Sequence, residues 1–568
     1  MQNIDKIDVP KVDLRQPDEM MRLDRMGSFH PMRLSFSRIL LRRMATENWS
    51  IDVPVWSVDK NGYGHAVITA KSPAHTYSLV AFSHQLDDAD RSDRVIAEKW
   101  DATFTLVDGI PSHDDIMEMS QTVSHQEAGR HRADQLTLSR ANKSVRMFNH
   151  VVDRLSEGEQ PDKTMINQIG YIMRTTAVYG NGKFGIGDRD RIFERPEMQA
   201  PFQAEMLTVY LIRVFSLKLV NHLARMAEKV KGKAVELAPD LARHLGIGNA
   251  TGLGMAPFLV HHQALLHQWM TTRETALARV LVQPSIGEDA AKKINLYCQR
   301  AQAYTSEWRV DDDVQSSRIT LLEDDLKHME TWIEGDWWKQ PYPLQNLMQQ
   351  AYRYLSLEAQ EMLVSIMLEP FGHLVDDLSD QLSAKETYSM PSHVNVGQVQ
   401  SLIDQHYDWT FDIDLDDLGA SALFWYTSEA KLEPRLGRRH EEEGADQEMP
   451  FDIPKQIRDA VKDLRKVDPE QSIAAFMMAF PQHRFILKRV MTTANHHYGE
   501  IKENLVGEAT RPIDMLRCKL SFFGASKFDP KSILWTRITL YQGAPLAEEL
   551  NINNADSCLF PSIGAPQT

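Results

Sequence analysis

Cysteine is scarce in this chain. Cys298, Cys518 and Cys558 are the only three among 568 residues, and they lie far apart. No CxxC pair or other zinc-type spacing exists, and a disulfide framework is not expected, so a reducing cytoplasm is the simplest compartment. Long apolar runs are missing too. The longest, Met206 to Leu223, is broken by Arg213 and Lys218. It is too short and too charged to span a bilayer, so no membrane association is expected. The opening residues are polar and acidic and lack an apolar signal core. No basic stripe interleaved with aromatics is present, and 63 Lys and Arg stand against 79 Asp and Glu, a formal net charge of −16. That balance repels phosphate backbones, so nucleic acid is not an expected partner.

Reaction signatures are equally absent. There is no G-x-S-x-G elbow, Walker loop, H-E-x-x-H helix or signature Cys/His pairing. Serine-triad hydrolysis, P-loop phosphoryl transfer and cysteine catalysis therefore have no support in the sequence.

What is present is globular composition: 42% hydrophobic and 25% charged residues, with 11 Trp and 21 Phe to bury. The length implies two to four domains, or one large helical body with an appended domain. The expected fold is α+β and predominantly helical. A small N-terminal antiparallel sheet domain packs on a large helical body, followed by a mixed C-terminal region. The expected divisions are an extended arm over 1–30, a small sheet domain over 31–111, a helical core over 112–385 and a mixed domain over 386–568. A polar loop is expected at 431–454. Segments 65–70, 76–82 and 102–107 read as strands bounded by turn residues, and 532–541 as another. Segments 116–152, 204–229, 258–280, 290–308, 318–333 and 344–368 read as helical.

Two glycine clusters break this pattern, Tyr179 to Gly187 and Gly246 to Gly254. Glycine permits positive φ and close backbone approach, so each cluster marks a place where backbone meets a ligand or another backbone. Gly180, Gly182 and Gly185 satisfy G-x-G-x-x-G, but no helix opening follows them, so a dinucleotide fold is not indicated. Phe184 makes the stretch superficially similar to the glycine loop of protein kinases. No lysine strand or catalytic loop follows, and Asp417-Leu-Gly419 stands too close behind His406-Tyr-Asp408 for a kinase core. The second cluster runs into Pro257 and a helix, which suits an anion site at a helix start or a tight helix–turn–helix joint.

The expected function is a cytoplasmic enzyme handling a small anionic metabolite by general acid/base chemistry, of lyase or isomerase type. Its pocket would be lined by the two glycine turns. Lys183, Glu205, His262 and Glu429 are the candidate catalytic residues. Arg174, Tyr179, Asn181, Asn249, Thr251 and Arg435 are the candidate substrate contacts. His261, His262 and His267 are spaced too poorly to make a two-ligand helix face. A metal-dependent alternative rests on His496, His497 and Glu500, and a non-catalytic scaffold is the third reading. Nothing in the sequence identifies a cofactor, and assembly into a homo-oligomer is left open.

Overall fold

The computed structural model describes residues 13–26, 30–87, 100–123, 132, 134–180, 194–249, 262–308, 313–383, 393–416, 421–422, 424–426, 434–436, 449–450, 452–502, 505–506, 521–530 and 536–563. The fold is mixed α+β with extensive helix, built on one nine-stranded sheet. Its strands are β1 (Ser50–Val58), β2 (Gly64–Lys71), β3 (Thr76–Ser83), β4 (Ala102–Asp108), β5 (Gln135–Lys143), β6 (Tyr171–Gly180) and β7 (Gly246–Asn249). The ladders β8 (Ser421–Ala422), β9 (Phe424–Tyr426), β10 (Pro434–Leu436), β11 (Met449–Pro450) and β12 (Leu505–Val506) form small separate sheets. Strands β13 (Ala525–Pro530) and β14 (Thr536–Leu540) rejoin the large sheet, whose order is β1-β2-β3-β4-β5-β6-β7-β14-β13. Among the described residues, only the β6–β7 pairing is parallel.

An antiparallel sheet does open the fold, as expected, but it is not confined to 31–111. Strands β5, β6 and β7 and the β13–β14 hairpin extend it across the expected divisions at 111 and 385. The segment 116–152, expected to be helical, contains β5. The residues Leu136, Thr137, Leu138 and Ser139 are buried between β4 and β6, and sheet burial overrides the charge pattern around them.

The main helices are α1 (Phe36–Thr46), α2 (His113–Thr122), α3 (Val145–Ser156), α4 (Lys163–Ile169), α5 (Gln203–Ala227), α6 (Pro239–His244) and α7 (Gln263–Leu281). They continue with α8 (Glu288–Ser306), α9 (Asp313–Trp332), α10 (Pro343–Tyr354), α11 (Leu357–Leu368), α12 (Val396–His406), α13 (Ile453–Leu464) and α14 (Arg484–Thr493). The single helix expected over 344–368 is two, because Ser356 starts a new one by accepting from Ala359 N.

Strand alternation covers both sheet faces. Ala66, Ile68, Leu79, Ala81, Phe104 and Leu106 enter the main core with α5. Val67, Val80, Phe82 and Val107 meet Ile116 and Met119 of α2 on the other face. Helix α5 is long and apolar enough to cross a membrane by composition, yet 67% of that stretch is buried inside the protein. It is the core helix.

Arg213 sits in the middle of α5 at 2% exposure. Its guanidinium donates to five backbone carbonyls: Leu245 at 2.9 Å, Pro545 at 3.0 Å, Ala544 at 2.9 Å, Arg243 at 3.1 Å and Ala242 at 3.3 Å. Tyr210 on the same helix also donates to the Pro545 carbonyl at 2.9 Å. One side chain thus ties the core helix to the entry of β7 and to the segment leaving β14. A second charged knot joins Arg33, Arg38 and Arg42 of the N-terminal region to Glu369, Asp376 and Asp556. The expected arm is therefore not free over its described part. Residues Pro17–Met20 and Leu23–Met26 are helical turns, and Arg15 donates to the buried carboxylates of Glu274 and Glu361.

Two outcomes follow from these ionic knots. Arg213→Met strands five buried carbonyls and should cost about 3 kcal/mol or more, read as a lowered urea midpoint. The three arginines hold the Asp556 carboxyl far below its ordinary 3.8 despite burial. A depressed carboxyl stabilises the fold fully above its unfolded value and loses that contribution as pH falls below about 4. The denaturation midpoint should therefore drop between pH 6 and pH 3, and D556N should lower it at pH 6 and flatten that dependence.

Candidate functional site

The structure brings some of the sequence-derived residues together and separates others. Parallel pairing sets Thr175 opposite Asn249, so β6 and β7 run side by side in the same direction. The close approach is real at Gly248, where a Cβ would lie 2.8 Å from the Tyr171 ring and 3.1 Å from Arg174 Cγ. The Gly246 cluster thus begins as a strand threaded between β6 and β14, not as a helix–turn–helix joint. Its early glycines serve backbone packing.

Arg174 and Glu205 do not converge. Met173 faces α5, its sulfur 3.5 Å from Ser216 Oγ, so Arg174, the next residue, points to the opposite face. It is 6% exposed there. Glu205 lies in the first turn of α5 at 1% exposure, on the other side of the sheet. His262 is half-buried at the N-cap position of α7. Tyr179 lies in β6 opposite Leu138, Asn249 ends β7, and Arg435 lies in β10 opposite Trp425. Asn181, Lys183, Thr251 and Glu429 lie outside the described residues.

The residues behind the metal alternative also separate. Both Glu500 oxygens are held by Arg489, at 2.6 and 2.7 Å, and Tyr407 and Gln263 donate to one of them. His496 Nδ1 bonds the Thr492 carbonyl at 2.7 Å, and its ring stacks edge-on with His267, 5.1 Å between centroids. Burial and the neighbouring histidines push His267 down to about 4. Among the described residues, no three of His, Cys, Asp and Glu come together as a metal set.

A better-formed site opens at the opposite end of the β6–β7 pair. A cavity of about 780 Å³ is bounded by Lys163 of α4, by Asp240, Arg243 and His244 of α6, by Arg300 of α8, and by the segment 543–563. That segment is shaped locally. Gly543 has φ +80°, and a Cβ there would lie 2.7 Å from Pro561. Asn551 and Asn554 side chains both donate to the Glu549 carbonyl, closing the loop on itself. Phe560 is held at φ +51°, a strained value for an aromatic residue, and lines the cavity. Arg243 donates to Glu549 at 2.6 Å, pinning the loop to α6.

Arg300 is the unusual member. It is 7% exposed, and neither Nε nor Nη1 meets a hydrogen-bond acceptor. Its guanidinium lies 5.7 Å from the Tyr297 ring, and no carboxylate pairs with it among the described residues. Burial lowers its pKa, with only the Tyr297 phenol acting the other way. Arg33, Arg38, Arg213 and Arg489, by contrast, each meet carbonyls or carboxylates. His244 shares the cavity, its Nδ1 3.2 Å from the Asp240 carbonyl, and burial pushes its pKa below 6.5. The ring is therefore neutral at physiological pH.

Sequence reasoning missed this site. Its residues come from four distant segments, and Arg300 occupies a helix that reads as ordinary amphipathic sequence. No known protein family, characterised protein or solved structure matches this chain.

A buried cation without a partner lowers stability. Arg300→Met, which keeps the length and removes the charge, should raise the ligand-free urea midpoint, by about 1 kcal/mol or more in stability. Arg213→Met moves in the opposite direction, so the pair of variants separates a structural arginine from one kept for binding.

Proposed function

We propose that the protein is a cytoplasmic enzyme that binds a small metabolite through its anionic group and acts on it by general acid/base chemistry in the cavity lined by Arg300. The carrying observation is that Arg300, a residue only 7% exposed, lines the cavity with no carboxylate or carbonyl paired to it among the described residues. Buried charges are ordinarily paired, so an anionic ligand group is the natural complement. Lys163 at the rim adds attraction for the incoming anion. His244, kept neutral by burial, supplies a group able to take up a proton. The two buried free thiols, Cys298 and Cys558, fit a reducing compartment. This reading keeps the chemistry expected from sequence and moves its seat, because Arg174 and Glu205 lie on opposite faces of the sheet.

The test is a thermal-shift screen of a carboxylate and phosphate metabolite pool, with hits carried to turnover assays followed by NMR. A hit should bind at least tenfold more weakly to Arg300→Met, about 1.4 kcal/mol. His244→Gln should retain binding and lose turnover. Wild-type turnover should hold down to pH 6.5 and fail only below it, since the base is active when neutral and its pKa is lowered. Equal binding by wild type and Arg300→Met would remove the cavity from consideration.

A further inference from the structure

The charges around the cavity do not match those expected for a simple polyanion. Among the described residues, three cations line it, Lys163, Arg243 and Arg300, against three carboxylates, Asp240, Glu548 and Glu549. Arg243 and Glu549 satisfy each other at 2.6 Å. What remains is Arg300, buried in the wall, with Lys163, Asp240 and Glu548, which are all exposed. None of these four has a side-chain hydrogen-bond or ion-pair partner among the described residues. A site for a dianion carries a surplus of positive charge. Here two unpaired carboxylates flank the entrance and would repel a second negative group.

We infer that the cavity selects a zwitterion, an amino-carboxylate whose carboxylate meets Arg300 while its ammonium group meets Asp240 and Glu548. The planar guanidinium matches a carboxylate in shape and hydrogen-bond geometry, which a lysine would not. The rim carboxylates offer the acceptor-only oxygens that an ammonium group needs. The two charged contacts lie at different depths, so the ligand is held lengthwise and enters in one orientation. The cavity volume leaves room beyond a single amino acid, which allows a short amino-acid conjugate. This inference rests on the cavity being the anion site proposed above.

Three probes of equal chain length isolate the charge pattern: adipate, 6-aminohexanoate and 1,6-diaminohexane, titrated calorimetrically into the full-length protein. Wild type should bind 6-aminohexanoate about tenfold or more tightly than adipate, and the diamine should not bind. Arg300→Met should abolish binding of both acids. The D240N/E548Q variant should bind 6-aminohexanoate no better than adipate, while adipate affinity stays the same or improves. Both variants should keep the wild-type circular dichroism spectrum. Adipate binding as tightly as 6-aminohexanoate, or a preference that survives D240N/E548Q, would overturn the zwitterion and leave the anion site standing. If neither acid binds wild type, the anion site itself fails.

Discussion

The guanidinium of Arg213 is the tie on which the site end of the molecule depends. It sits inside an otherwise apolar helix and gathers carbonyls from Ala242, Arg243, Leu245, Ala544 and Pro545. Those carbonyls belong to the two segments that flank the cavity. An irregular chain end and a short helix would otherwise leave buried acceptors unpaired. The arginine satisfies them from the core side, which frees the outer surfaces of the same segments to line an opening. Tyr541 reinforces the arrangement by donating to the Met206 carbonyl two turns earlier on α5.

Buried arginines here fall into two groups. Arg33, Arg38 and Arg489 each meet carboxylates, and Arg213 meets carbonyls. In each case loss of hydration is offset by fixed acceptors. Arg300 has an aromatic ring and little else. The contrast matters because it is internal to one molecule: Arg33, Arg38, Arg213 and Arg489 each meet fixed acceptors where they hold structure together, although Arg38 Nε has none of its own. The exception lines a cavity.

Local signals in the sequence reported the fold well where one face decides the outcome. Strands β2, β3 and β4 were legible because β-branched and aromatic residues alternate between turn residues, and α5 because apolar residues surround it. Strand β5 was not, since its polar Thr137 and Ser139 are buried and Arg140 and Lys143 break the alternation. The glycines at 246 and 248 signalled close approach correctly, but the partner is strand backbone and the Tyr171 ring rather than a ligand. The cavity was illegible for a different reason. Pairing residues near 163, 243, 300 and 549 requires the tertiary fold, and no local pattern marks an arginine whose partner is missing. The expected joining of Arg174 with Glu205 failed on strand parity, which depends on knowing which face α5 covers.

Strand β7 lies between β6 and β14, and the partner that closes its outer side comes about 290 residues later in the chain. During synthesis that edge emerges early and waits. At about 5–20 residues per second, the wait is on the order of 15–60 seconds. Throughout it, the β7 edge lacks its hydrogen-bonded neighbour and the Arg213 carbonyl cluster is incomplete. Only four residues long, and carrying glycine at alternate positions, β7 offers a poor template for stray pairing while it waits. The placement of the β13–β14 hairpin thus delays closure of the sheet by that interval after β7 emerges, and the cavity beside it takes shape only then.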